Sequence, residues 1–290
     1  SAAELAGLLG LRDEQHAGLY ALLPALADWR RTRHEKAQLD AARYRVHWRP
    51  VRPAAAPVLD GTWLVVTTDA VDDTELLDAL RGHGARLERL ALDEACRDRA
   101  ELARRIADFG ELSGILSLVA LADRPVPGPG LPEGVALGAV LAQALGDLRS
   151  AAPLWTLTRG AVSTGPADPL TNPVQAAAWG LGRVAALERP QAPGGLVDLP
   201  PVLDAPTVQG LVGLLAAGGR GGEDQVALRG TAAYGRRLVR YAVDELPRAE
   251  EFTADGTVLV TGGTGALGAE VARWLARSGA RHLVLTGRRG

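Results

Sequence analysis

The chain has 290 residues, is 47% hydrophobic and 23% charged, and carries a formal net charge of −2. That length allows one large domain or two smaller ones. The near-neutral balance argues against nucleic acid as the main partner, and no apolar run reaches membrane-spanning length. The expectation is therefore a soluble, cytoplasmic protein with no membrane partner. The single cysteine, Cys96, rules out an internal disulfide and a cysteine-based zinc site. It reads as a spare thiol, and no metal site is expected. Ser1 in place of Met reads as a segment of a longer polypeptide.

Residues 1–42 read as a helical element. Leu19, Leu22, Leu23, Leu26 and Trp29 recur at spacings of three and four, an apolar stripe. Pro24 interrupts it, which predicts two short helices with Pro24 near the start of the second. The second runs into a charged stretch, 30–36, that holds Lys36, the only lysine among 32 basic residues. Such a stripe has to bury against the main body or against a second copy of itself.

Residues 43–247 read as one α/β unit. Polar and apolar residues alternate over 43–49, the pattern of a half-buried strand, and 50–57 is a proline-rich connector. Strands are then expected at 62–67, 86–92, 113–121, 153–158, 195–199, 224–228 and 233–239. Helices are expected around 75–80 and at 100–109, 135–148, 173–187 and 207–216. Strands alternating with helices at this spacing predict a Rossmann-like, doubly wound parallel sheet. An acidic stretch, 245–255, reads as a linker.

The last unit, 248–290, holds the most informative stretch. Residues 257–261 form a short β-branched run, which predicts a buried parallel strand. Thr261 and Gly262 lead into Gly263, Thr264, Gly265, Ala266, Leu267 and Gly268, a G-x-G-x-x-G pattern. Leu267, Val271, Trp274 and Leu275 follow at helical spacing, and 281–286 reads as a second strand. Strand, glycine turn, helix and strand in about 30 residues make a βαβ unit. One glycine permits the tight turn, one admits a pyrophosphate, and one lets helix and strand approach. The helix N-terminus then holds the phosphates. The second strand ends in Gly287, Arg288 and Arg289, with no acidic residue after Val271. An acid here suits the ribose hydroxyl of NADH, whereas arginine suits a 2′-phosphate, so the expected cofactor is NADPH.

The first unit repeats this opening. Gly61 and Gly84 precede its first two strands as Gly256 and Gly279 precede the later pair, with equal separation, which reads as a duplication. Its turn, 67–73, lacks the glycines and places Asp69, Asp72 and Asp73 where a pyrophosphate would lie. The first copy is therefore expected to be structural.

Four stretches carry a resemblance. They are 154–161, 175–188 with 194–200, the glycine loop 261–268, and 20–31 leading to 44–48. Together they resemble the ketoreductase domain of modular type I polyketide synthases, a branch of the short-chain dehydrogenase/reductase superfamily, with a preceding dimerisation element. The resemblance implies two Rossmann-like sheets, the first structural and the second cofactor-binding and only begun here. It implies NADPH-dependent reduction of a β-ketoacyl thioester on an acyl carrier protein to a β-hydroxyacyl thioester. It also implies a homodimer formed through the N-terminal helices. The family's catalytic Ser, Tyr and Lys have no counterpart: Tyr20, Tyr44, Tyr234 and Tyr241 all precede the glycine turn and none has a lysine or asparagine four residues on. No catalytic residue is assigned. Two other readings stay open, a non-catalytic structural and dimerisation module and a free-standing reductase of a small ketone.

Overall fold

A computed structural model describes residues 13–53, 58–122, 130–191, 193–218, 222–242, 244, 254 and 256–288, with side chains from residue 21 onward. Leu19, Arg289 and nearly all of the expected linker 245–255 lie outside the described side chains or residues. The chain divides into two compact units, residues 45–239 and residues 1–44 together with 240–290.

The larger unit is built on an eight-stranded sheet. Its strands are β1 (Tyr44–Val51), β2 (Thr62–Thr68), β3 (Arg86–Leu92), β4 (Gly114–Ser117), β5 (Leu154–Arg159), β6 (Gly194–Leu199), β7 (Gln225–Arg229) and β8 (Ala232–Arg240), in the order β1-β8-β7-β6-β5-β4-β2-β3. The strands from β3 to β7 pair in parallel. The sheet departs from the all-parallel expectation at its other end, where β8 runs antiparallel to β7 after a two-residue connection at Gly230, φ +57°. A two-residue loop can join only antiparallel neighbours.

Both faces of β2 are covered, which is why its centre, Trp63 to Val66, is an unbroken apolar run. Trp63 and Val65 join a core made with α2 (Thr74–Gly82) and α6 (Ala205–Ala216). Leu64 and Val66 join the opposite core, against α3 (Arg99–Ala107) and α4 (Glu133–Asp147). A smaller cluster sets α5 (Ala176–Glu188) on the sheet through Trp179, and the Trp48 ring meets it edge-on at 5.7 Å. The expected strand over 113–121 stops at Ser117 and passes into a 3-10 turn, Val119–Leu121. The expected half-buried strand at 43–49 is largely exposed, because β1 is an edge strand. It also runs through Pro50, whose missing N–H is tolerated at an edge.

In the other unit, residues 13–42 form one helix, α1 (Asp13–Ala42), with Pro24 inside it. The expectation of two helices is overturned. One proline removes one hydrogen bond and strains one turn, and the rest of a 30-residue helix carries through it. Leu22, Leu26 and Trp29 are 60%, 52% and 59% exposed, and Leu23 is half-buried. Next to α1, the Arg43 guanidinium lies over the Tyr241 ring and that of Arg240 over Tyr44, at 5.6 and 5.3 Å. The Tyr241 N–H also donates to the Arg43 carbonyl at 3.1 Å. Strand β9 (Thr257–Thr261), helix α7 (Ala266–Arg277) and strand β10 (His282–Thr286) follow, with β9 and β10 paired in parallel. The expectation of a buried β9 is not met: Val260 is covered, whereas Leu259 is 60% exposed. Of the α7 stripe, Leu275 is buried, and Leu267, Val271 and Trp274 are exposed. With two strands and one helix, only the contact between them is sheltered.

Candidate nucleotide-binding turn

The glycine turn sits between the end of β9 and the start of α7, and its geometry assigns the glycines separate tasks. The left-handed residue is Gly262, φ +67°, one position before the pattern, so the tight turn depends on it. Gly263 is buried; a Cβ there would lie 2.8 Å from Cβ of Leu285 and 3.0 Å from the Val260 carbonyl oxygen. Its task is close contact with β10, reinforced by its N–H donating to the Thr286 carbonyl at 3.0 Å. A Cβ on Gly268 would meet the Gly262 carbonyl oxygen at 2.2 Å and the Gly263 Cα at 2.6 Å, so this glycine lets the helix start against the turn. Gly265 differs from both. Among the described residues, its chain neighbours aside, the one atom within 4 Å of its missing Cβ is the Gly262 carbonyl oxygen, at 3.3 Å. Close approach of a pyrophosphate to the backbone would require open space of this kind.

Helix α7 begins at Ala266, no side chain caps it, and its first turn holds no acid. Its first N–H groups and the positive end of its dipole therefore meet no competing carboxylate from the helix itself. Thr261, Thr264, Ala266 and Leu267 are exposed around the turn, and Gly287 and Arg288 are exposed at the end of β10. The structure thus brings together every expected cofactor residue from Thr261 to Gly268 with Gly287 and Arg288. The residues present fit a dinucleotide's adenosine and phosphate half. The glycine before the pattern was the part least legible in sequence; its only signal is the Gly262-Gly263 doublet.

The first copy of this unit, β2-α2-β3, closes the corresponding place. Of the three expected carboxylates only Asp69 lines the cleft; Asp72 accepts the Thr74 N–H at 3.2 Å, and Asp73, 8% exposed, pairs with Arg89 at 3.0 Å. The small cavity there, about 170 Å³, is lined instead by Asp69, Asp93, Glu94 and Glu133 with Arg97. Arg97 lies 3.7 Å from Glu94 and 3.6 Å from Glu133. Farther along the same sheet edge, Asp198 is fully buried. It accepts from the Thr158 hydroxyl, the Ala161 N–H and Arg229, at 2.6, 2.8 and 2.9 Å. Arg229 also holds Asp168, on the 160–175 loop, at 2.9 Å. Burial raises the Asp168 pKa, but the Arg229 and Thr164 hydrogen bonds outweigh it, and the group lies below its ordinary value. This ionic network was not anticipated, since nothing in the spacing of Asp168, Asp198 and Arg229 joins them.

The remaining sequence candidates are elsewhere. Cys96 is buried, its thiol pushed up by burial, and it receives a hydrogen bond from Arg105 at 3.3 Å, which suits a structural thiol. Among the described residues no group of His, Cys, Asp and Glu is arranged to hold a metal, and no helix is long and apolar enough to cross a membrane.

Comparison with known proteins gives three family matches. Residues 46–238 match the Rossmann fold domain of the polyketide synthase extender module SpnB, 256–290 a KR domain, and 1–36 a polyketide synthase dimerisation element domain. Polyketide synthase GfsA of Streptomyces halstedii is 48% identical over 99% of this chain, which covers 4% of that protein. Pikromycin polyketide synthase component PikAIII of Streptomyces venezuelae is 40% identical over 90% of this chain, which covers 16% of it. A solved A-type ketoreductase from a modular polyketide synthase superposes with TM-score 0.73 at 42% identity, covering 87% of this chain and 54% of that one. A C2-type ketoreductase gives TM-score 0.73 at 41% identity, with the same coverage of both chains. The chain spans about half the length of these solved structures and a small fraction of the curated relatives. With two thirds of its length matched by the Rossmann-domain family alone, the chain belongs to the ketoreductase region of modular polyketide synthases.

Proposed function

We propose that this chain supplies the adenosine and phosphate half of an NADPH site in a ketoreductase acting in polyketide assembly. The reaction is reduction of a β-ketoacyl thioester, carried by an acyl carrier protein, to the β-hydroxyacyl thioester. The observation that carries this reading is the open, uncapped glycine turn between two parallel strands, the second of which runs out through Gly287 to Arg288. Gly265 leaves room for the pyrophosphate, the first N–H groups of α7 hold it, and Arg288 takes the 2′-phosphate through its planar fork. Arg289 is assigned to the same phosphate by its position in sequence. NADPH, when bound, supplies the hydride. No residue of this chain is assigned to proton transfer. The unit 43–247 serves as a structural partner that binds no nucleotide.

Calorimetric titration tests the assignment. Arg288→Ala should weaken NADPH roughly ten- to a hundredfold, the loss of a charged hydrogen bond of about 1.5–3 kcal/mol, and leave NADH nearly unchanged. Gly265→Asp should abolish both, because it fills the open side of the turn with a carboxylate. Equal loss of NADPH and NADH in Arg288→Ala overturns the 2′-phosphate assignment.

Homodimerisation through α1 is the second part of the reading. Leu22, Leu26 and Trp29 are exposed on one helix, and burying each is worth roughly 1.5–3 kcal/mol. A second copy of the helix covers them in an isologous contact, and the dimerisation-element match at 1–36 favours it. Light scattering on the chain with and without residues 1–40 decides: a dimer that becomes a monomer is expected, and two monomers at tens of micromolar refute it.

A further inference from the structure

We infer that the larger unit carries a ligand site of its own, in the cleft between the end of α5 and the starts of β5 and β6, for a short monocarboxylate with a carbonyl or hydroxyl oxygen along its chain. It stands independently of the nucleotide reading, since every residue it uses belongs to the larger unit.

Two adjoining spaces make the site. The outer one is a cleft of about 290 Å³. Its floor is backbone: a Cβ on Gly194 would fall 2.1 Å from the Leu154 carbonyl oxygen, and one on Gly195 2.2 Å from that of Asp224. Backbone cannot turn aside as a side chain can, so both positions stay bare. Leu154, Ala186, Pro190 and Pro193 form apolar walls. The inner space is a slot of about 30 Å³ between α4 and α5, room for about one small group. Leu154, Thr156, Gly182 and Ala185 line both, so the slot continues the cleft inward.

The polar groups along this path have unmet hydrogen-bonding capacity. Arg189, half-buried at the cleft, donates to the Ser150 carbonyl at 2.9 Å, which fixes its guanidinium. Among the described residues it meets no carboxylate, and burial alone lowers its pKa. Asp224, in the same lining, is attracted instead by Arg236 and Arg237. Ser117 and Thr156 sit opposite each other on β4 and β5, and both line the slot. Ser117 is 1% exposed, and among the described residues neither hydroxyl has a hydrogen-bond partner. Buried donors left unmet are costly, charged ones most of all. An acceptor-only anion answers Arg189, and an oxygen farther along the ligand answers the hydroxyls. Asp224 disfavours a doubly charged group, which selects a carboxylate over a phosphate. The apolar walls between suit a short carbon chain.

The test uses the full chain at neutral pH with 4-oxopentanoate, pentanoate and 4-oxopentanamide as probes, titrated by ligand-observed NMR. Wild type should bind the oxo acid about tenfold more tightly than its amide and about fivefold more tightly than pentanoate, the sizes of one charged and one neutral hydrogen bond. Arg189→Gln should remove the first difference, and Ser117→Ala combined with Thr156→Val the second. Circular-dichroism melts should show the variants folded with midpoints near wild type; where one fails to fold, the three probes on wild type decide alone. Equal affinity for the oxo acid and its amide, equal affinity for the oxo acid and pentanoate, or no binding of any probe each overturns the inference. So does displacement of the oxo acid by equimolar inorganic phosphate, or its undiminished binding to Arg189→Gln.

Discussion

The two βαβ openings, β2-α2-β3 and β9-α7-β10, share a plan and differ in their turns. Each first strand follows a left-handed glycine, Gly61 at φ +76° and Gly256 at +90°; each second strand follows another, Gly84 and Gly279, both at +90°. Both strand pairs are parallel, with Thr62 opposite Arg86 and Thr257 opposite His282, a register that differs by one residue. The turn of the second unit is open at Gly265, and an uncapped helix begins behind it. In the first unit the cleft is lined by carboxylates bridged by Arg97, and helix α2 starts at a buried Asp73 already engaged by Arg89. The second strands part company as well. After β3 comes Asp93, which accepts the Cys96 N–H and pairs with Arg105, whereas after β10 come Gly287 and Arg288. One backbone plan therefore carries two different turns, one left open by glycine and one lined by carboxylates.

The largest test strikes the support role. Asp198→Ala removes a fully buried carboxylate from Thr158, Ala161 and Arg229, orphans the Ala161 N–H and leaves the guanidinium with Asp168 as its remaining carboxylate. Breaking such a pair costs about 3–5 kcal/mol, to be read from the midpoint of urea unfolding; a loss under about 1 kcal/mol, the scale of a surface pair, denies the network its role. Next is Gly268→Ala, whose Cβ meets backbone atoms that have no side-chain freedom to yield. Overpacking of about 3 kcal/mol should lower NADPH affinity roughly a hundredfold. The same titration with Asp69→Ala should show no change under the proposed structural role of the first copy; a gain in stoichiometry would erase the contrast between the copies.

The smallest effect is a pH dependence confined to the first unit. Glu101 is held at about 2 by hydrogen bonds from Arg104 and then Arg105, below its ordinary 4.5. A depressed carboxylate stabilises the fold above its unfolded pKa, and that contribution disappears as pH falls from 4.5 towards 2. Because the group is exposed, solvent screening keeps the effect small. Glu101→Gln should slightly lower stability at neutral pH, leave it unchanged near pH 2, and so flatten the acid limb of the stability curve.

Much of this molecule was legible in its residues. The strands of the first sheet were evident from short, largely apolar or β-branched runs such as 62–68, because a strand buried on both faces exposes few polar groups; 194–199 keeps to this except at Asp198, whose charge is paired. The glycine turn and Arg288 after the second strand were evident because few side chains tolerate such backbone proximity or match a phosphate so well. Local chemistry of this kind needs no distant partner, so it shows in a short window.

Other features depended on residues far apart in the chain. Pro24 announced a break that α1 does not make, since a long helix absorbs one lost hydrogen bond. The alternation at 43–49 promised a half-buried strand, but burial depends on what lies beside it, and β1 is at the edge. The carboxylates of 67–73 were countable, yet Asp73 turns to Arg89 on another strand. Asp198, Arg229 and Asp168 meet only because β6, β7 and the 160–175 loop converge at one end of the sheet. The sequence by itself determined which turn is left open, because that property resides in the missing side chains of neighbouring glycines. Tertiary structure alone decided which charges are neutralised and which glycine carries which task, because both depend on atoms brought close by pairing between strands.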